Sequence, residues 1–158
     1  MNSLDLIKQM VLVDVWANDR VLKVMEDASG KEPDVARGLL GHIFAAQQIW
    51  LSRLQGDGRT EFEVFPKRNL VQLRLEANNM QGLLGAFVQG LSSSDLELEV
   101  TYSTIAGVDH SSTMGQMLTH LFSHGAYHRG QINQQLRETG IEPPAVDTIV
   151  YHREQAKA

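Results

Sequence analysis

The chain has no cysteine and only four prolines among its 158 residues. Without cysteine there is no disulfide, no thiolate metal site and no cysteine nucleophile. The absence also fits a reducing compartment. Basic residues are outnumbered, with 14 Lys+Arg against 19 Asp+Glu and a net charge of −5. An acidic chain with no basic cluster lacks the electrostatic footprint of non-specific nucleic-acid binding. Long apolar runs are missing too. The stretch from Met10 to Val15 is interrupted by Asp14, far short of the roughly 20 residues a spanning helix needs. The opening residues Met1 to Asp5 carry no basic targeting segment. The expectation is a soluble cytoplasmic protein with no nucleic-acid or membrane partner. Several catalytic motifs are absent as well: a glycine-rich phosphate loop, His-Glu-x-x-His and Gly-x-Ser-x-Gly. The paired Glu-x-x-His segments of di-iron bundles are not found on the helical stripes either.

What is present is an ordinary globular composition, 42% hydrophobic and 21% charged, long enough for a sizeable core in a single domain spanning 1–158. Four segments carry apolar residues at alternating spacings of three and four, the period of a one-sided helix. The first, over about 3–27, has the stripe Leu4, Ile7, Val11, Asp14, Asn18, Val21 and Met25, with two polar residues facing inward. The second opens near Pro33, with Asp34 as its expected N-cap, and runs to about Leu54; His42 lies three residues after Leu39 and four before Ala46. The third, over about 69–91, repeats Leu70, Leu73, Ala77, Met80, Leu84, Phe87 and Leu91 and carries no histidine. The fourth starts at the capping cluster Ser111-Ser112-Thr113 and ends at Gly140, the expected C′ residue. Its stripe is Met114, Met117, Leu121, His124, His128, Gln131 and Gln135. Between the third and fourth helices, Leu96, Leu98, Val100 and Tyr102 alternate with polar residues. That is the pattern of a half-buried strand, with a return near Ile105 to Val108 closing a small hairpin. The methionines on or beside these stripes read as core packing.

The six histidines are the only transition-metal ligands of nitrogen type, so any such metal must be held by imidazole and oxygen. His124 and His128 are four apart and therefore stack on one helix face. His120 extends the same row by one turn, and spacing alone does not choose between the pair 120/124 and the pair 124/128. A histidine pair at this spacing also arises by chance on exposed helices. Here the pair falls on an inward stripe, where burying an unpartnered polar group costs about 1–3 kcal/mol. His42 sits among apolar neighbours on a second helix, and bundle interiors build metal sites from facing helices. A site of His42, His124 and His128 would hold Zn²⁺, Ni²⁺ or Fe²⁺ with open coordination positions. Asp14 and Asn18 are candidate partners for the ligand imidazoles; hydrogen bonds to a neighbouring helix are an equally good account of them. His110 and His152 fall outside the four helices and read as surface residues. Arg129, one step off the histidine row, is expected to face away from it and to pair with a carboxylate.

The string His124-Gly125-Ala126-Tyr127-His128-Arg129-Gly130-Gln131-Ile132 resembles the His-x-x-x-His-Arg-Gly-Gln-Ile signature of the DinB/YfiT-like metalloenzyme family. Trp16-Ala17-Asn18, the segment from Gly41-His42-Ile43 to Trp50, and the tail Pro143-Pro144-Ala145-Val146-Asp147 are similar to the corresponding parts of that family. The resemblance implies an all-α fold: an up-down-down-up four-helix bundle with a small β-hairpin before the last helix. It implies one divalent transition metal (nickel, zinc or iron) on His42, His124 and His128, which makes His120 a neighbour of the ligands. It also implies a homodimer. Some relatives use low-molecular-weight thiols in transfer or isomerisation. The expected function is thus metal-dependent catalysis, with water or a thiol cosubstrate activated at the ion, in hydrolysis or thiol transfer. The alternative is a non-catalytic metal- or ligand-binding stress protein whose metal stabilises a dimeric bundle. With no cysteine in the chain, any reacting thiol must come from a cosubstrate.

Overall fold

Three of the four long helices begin where paired side chains take up the free N–H groups of the first turn. The computed structural model describes residues 1–158. Its first helix, α1 (Ser3–Asp27), starts with reciprocal hydrogen bonds between Asn2 and Asp5. Asn69 and Gln72 do the same for α3 (Leu70–Gln89), and Thr113 and Gln116 for α4 (Met114–Glu138). The remaining long helix, α2 (Asp34–Gln55), differs from expectation. Pro33 occupies its N-cap, and no side chain caps it. Asp34 is instead the first helical residue and pairs with Arg37 one turn on. A carboxylate there still meets the positive end of the helix dipole. Gly56, with φ of +66°, ends α2, and Gly140, with φ of +79°, follows α4; both adopt the left-handed conformation that only glycine takes up without strain.

The hairpin is shorter than the alternating pattern suggests. Ser93–Glu97 forms a 3-10 turn, and the strands are β1 (Glu99–Ser103) and β2 (Asp109–Thr113), antiparallel with Glu99 opposite Thr113 and Ser103 opposite Asp109. Ser92 and Asp95 close a capping box that winds the chain before the strand can start. Leu96 is consequently buried in the core while Leu98 is exposed. The capping cluster is also divided. Ser111 and Ser112 belong to β2, and only Thr113 caps α4.

The helices form a ring in which α1 and α2 each pack against both α3 and α4. Contacts along the interfaces give the directions. On α1 and α3, Glu26 meets Arg74 while Val15 shares a cleft with Gln81 and Leu84, so these two run antiparallel. On α1 and α4, Met10 lies by Thr119 and Asn18 by Arg129, so these run parallel. On α2 and α4, His42 meets His128 while Trp50 meets His120, so these run antiparallel. The bundle is therefore up-down-down-up. Its core joins Leu22, Met25, Leu40, Phe44, Met80 and Leu118, all essentially inaccessible to solvent. After the Pro143-Pro144 segment, a short helix, α5 (Thr148–Gln155), returns to α1. Trp16 Nε1 and Arg20 both donate to the Glu154 carboxylate, and Trp16 meets Tyr151 edge-on at 5.5 Å. No helix is long and apolar enough to cross a membrane.

Candidate metal centre

His42 is carried on a buried turn of α2, and His124 and His128 stand one above the other on the facing side of α4. The three rings converge. His124 Nε2 lies 3.1 Å from His42 Nε2 and 3.1 Å from His128 Nε2, and one nitrogen of each ring falls within 4.8 Å of the others. Nitrogens bound to one tetrahedral ion at about 2.0–2.1 Å stand about 3.4 Å apart, so the donor set fits a single metal ion. His42 is buried and its two partners are half-buried, which leaves the centre at the margin of the core and not in its middle.

Hydrogen bonds on the far side of the rings define what the converging nitrogens carry. His42 Nδ1 donates to the Val64 carbonyl at 2.8 Å, and His128 Nδ1 is 2.6 Å from Gln131 Oε1. Burial pushes the His42 imidazole below the ordinary histidine range. It pushes His124 down to about 4, with His128, His42 and His120 adding to the effect. The His42 and His124 rings are therefore neutral at pH 7. A neutral imidazole that donates from Nδ1 presents a lone pair at Nε2. His42 thus aims a lone pair at the point His124 also faces, His128 in its neutral form does the same, and His124 Nε2 has at most one proton to share. A cation satisfies all three at once. The outward acceptors have the orienting role that ligand histidines require.

Asp14 and Asn18 do not contact the imidazoles. Arg129 Nη1 donates to Asp14 Oδ1 at 2.6 Å and to Asn18 Oδ1 at 2.8 Å, and Gln47 Nε2 donates to Asp14 Oδ2 at 2.7 Å. All four side chains are buried between α1, α2 and α4. The pairing of Arg129 with a carboxylate and its turn away from the histidine row match the reading of its position. Asp14 and Asn18 serve that arginine because a buried guanidinium requires acceptors. His120 lies next to the centre, its ring centroid 5.6 Å from that of His124 and 4.9 Å from that of Trp50. His110 and His152 are exposed.

Two groups at the centre are missed by sequence reasoning. One is the segment before α3, where Val64 supplies its carbonyl and the Phe65 ring stacks on His42 at 4.1 Å and 9°. A loop contact made through a main-chain oxygen leaves no periodic signal. The other is Gln131 as the acceptor for His128. Its position three residues along the same helix is the available signal.

An up-down-down-up bundle with three convergent imidazoles defines a class of helical proteins able to hold one metal ion between two helices. Within that class the chain belongs to the DinB family, whose model matches residues 8–158. No curated protein matches the chain significantly.

Proposed function

We propose that the protein is a metal-dependent enzyme in which His42, His124 and His128 hold one divalent ion and water or a small thiol is activated as the nucleophile. The observation that carries this reading is the convergence of three imidazole Nε2 atoms, with the outer nitrogens of His42 and His128 held by hydrogen bonds. Neutral ligands leave the ion its full double charge, and three protein donors are the number found in catalytic sites that keep a position open. When bound, the ion supplies Lewis acidity that lowers the pKa of a coordinated water or thiol toward neutrality. The chain's own residues do the rest. Val64 and Gln131 fix the ring orientations, Phe65 covers one face of His42, and His124 and His128 are half-buried. A thiol reactant has to be a separate molecule, since the chain has no cysteine.

The test is elemental analysis of the purified protein beside His128→Ala. One equivalent of a transition metal in the parent and a large loss in the variant are expected, and equal metal content would refute the site. Titrating the cobalt(II)-loaded protein with small thiols then separates the two nucleophiles. A new thiolate absorption band supports thiol activation, and its absence favours water.

A further inference from the structure

Arg53 lies on α2 three residues beyond Trp50 and has no carboxylate partner. Arg20, Arg37, Arg68, Arg74 and Arg129 each meet a carboxylate. Arg53 meets none, and its Nε is buried without a hydrogen-bond partner. Its Cζ lies instead 4.6 Å from the centroid of Trp50 and 4.9 Å from that of Tyr102. The two rings come from different elements, α2 and β1, and meet each other edge-on at 5.3 Å. They hold the guanidinium by cation–π contact and strip water from its faces. A partly desolvated guanidinium binds an anion more strongly than one in bulk water. In front of it lies a recess of about 180 Å³, lined also by Arg59 and by the glycine-flanked turn after α2. Asp57 is the one carboxylate on that lining, and its Oδ1 accepts from the Ser52 hydroxyl and the Arg59 backbone N–H, which holds it on the turn after α2. The platform reaches the centre through a continuous row of rings, Trp50 to His120 to His124.

We infer that Arg53 is a carboxylate-binding subsite. The substrate or cosubstrate would place its reacting group at the three histidines and a carboxylate, several bonds away, against Arg53 on the Trp50–Tyr102 platform. The inference rests on the proposed function and names the chemistry of the molecule that the site takes. Arg53 offers the bidentate face that a planar carboxylate takes up, and because Arg59 also lines the recess, inorganic phosphate is the competing anion that the titration below separates.

Trp50 reports the site directly. In a Trp16→Phe background its fluorescence is followed during titration with butyrate, butyramide and inorganic phosphate, using metal-free protein. This arm is independent of whether the centre binds metal. A saturable change with butyrate but not butyramide is expected. It should weaken about tenfold or more in Arg53→Gln, the loss of one charge-assisted hydrogen-bond pair, and fall in between in Arg53→Lys. A second arm uses cobalt(II)-loaded protein and compares 6-mercaptohexanoate with 6-mercaptohexanol, long enough to span the Trp50 and His120 rings. The acid is expected to bind about tenfold more tightly, and Arg53→Gln is expected to erase that preference while leaving the neutral thiol unaffected, which also shows that the variant is folded. Equal response to butyrate and butyramide, a preference that survives Arg53→Gln, or tighter binding of phosphate than of butyrate overturns the assignment. Failure of the cobalt protein to form, with an intact butyrate response, counts against the metal centre and leaves the subsite standing.

Discussion

Replacing Gly125 by alanine is expected to destabilise the protein, although alanine is the better helix former. Propensity alone favours the exchange by about 0.8–1 kcal/mol in a helix interior. An added Cβ would lie 2.8 Å from Asp14 Oδ1 and 2.9 Å from Arg129 Nη1. Both atoms end side chains that move freely on a surface, but here they are locked. They bond each other at 2.6 Å, and their residues are only 2% and 4% exposed. A methyl group between them either parts the ion pair or pushes α1 away from α4. Uncoupling a buried pair costs about 3–5 kcal/mol because each charge is left without its partner. Less the helical gain, the net loss is about 2–4 kcal/mol. Urea unfolding of parent and variant, compared at unchanged slope, reads this directly. The mechanism has its own control. In an Asp14→Ala background the carboxylate is gone, so the same exchange is expected to cost less by more than about 1 kcal/mol, the signature of coupled sites. A Gly125→Ala protein as stable as the parent, or more stable, would refute the reasoning.

Three further outcomes follow from the same geometry. His124 titrates in the folded chain at about 4, below its ordinary value of 6.5, so the unfolded chain binds more protons between those values. The stability contributed is complete above about pH 6.5 and is lost as pH falls through about 4. Calorimetry of metal-free protein is expected to show a melting temperature that drops across this window, more steeply than in His124→Asn; equal slopes would exclude the histidine as the cause. Gln131→Ala removes the acceptor at His128 Nδ1 and is expected to weaken metal binding about 10–100-fold in competition with a chromophoric chelator, whereas unchanged affinity would show that the hydrogen bond has no orienting role. Gly56→Ala places a side chain at φ of +66° and is expected to cost about 1 kcal/mol in urea unfolding, with a neutral result meaning that the end of α2 relaxes.

The helices were legible because burial on one side imposes a period on the residues. The run from Leu70 to Leu84 on α3 has no other explanation, and Leu73, Met80 and Leu84 are buried. The three ligand candidates were legible for a different reason. His42 was legible from its place among apolar neighbours on a second helix, and His124 and His128 share a face at any rotation of α4, but the choice of the pair 124/128 over the pair 120/124 rested on family resemblance, since both pairs have the same spacing. The same limit explains Asp14 and Asn18. Their inward direction is plain in the sequence, yet whether they meet a histidine or an arginine depends on how α1 is docked against α4. Phe65 and the Val64 carbonyl lie outside any period, and only the folded chain brings them to His42.

Docking also gives the string from His124 to Arg129 its physical meaning. One residue along a helix is a rotation of about 100°, so the string contains two pairs of spacing four on different faces. His124 and His128 look toward α2 and the metal centre. Gly125 and Arg129 look toward α1, where the absence of a side chain on the first makes room for the ion pair of the second with Asp14. The ligand pair and the buried ion pair are thus interleaved on a single stretch of backbone. Arg129 ties that stretch to α1, and through Asp14 it reaches Gln47 on α2. Because α2 also carries His42, the network spaces the two helices whose histidines must converge, and it does so without touching a single imidazole.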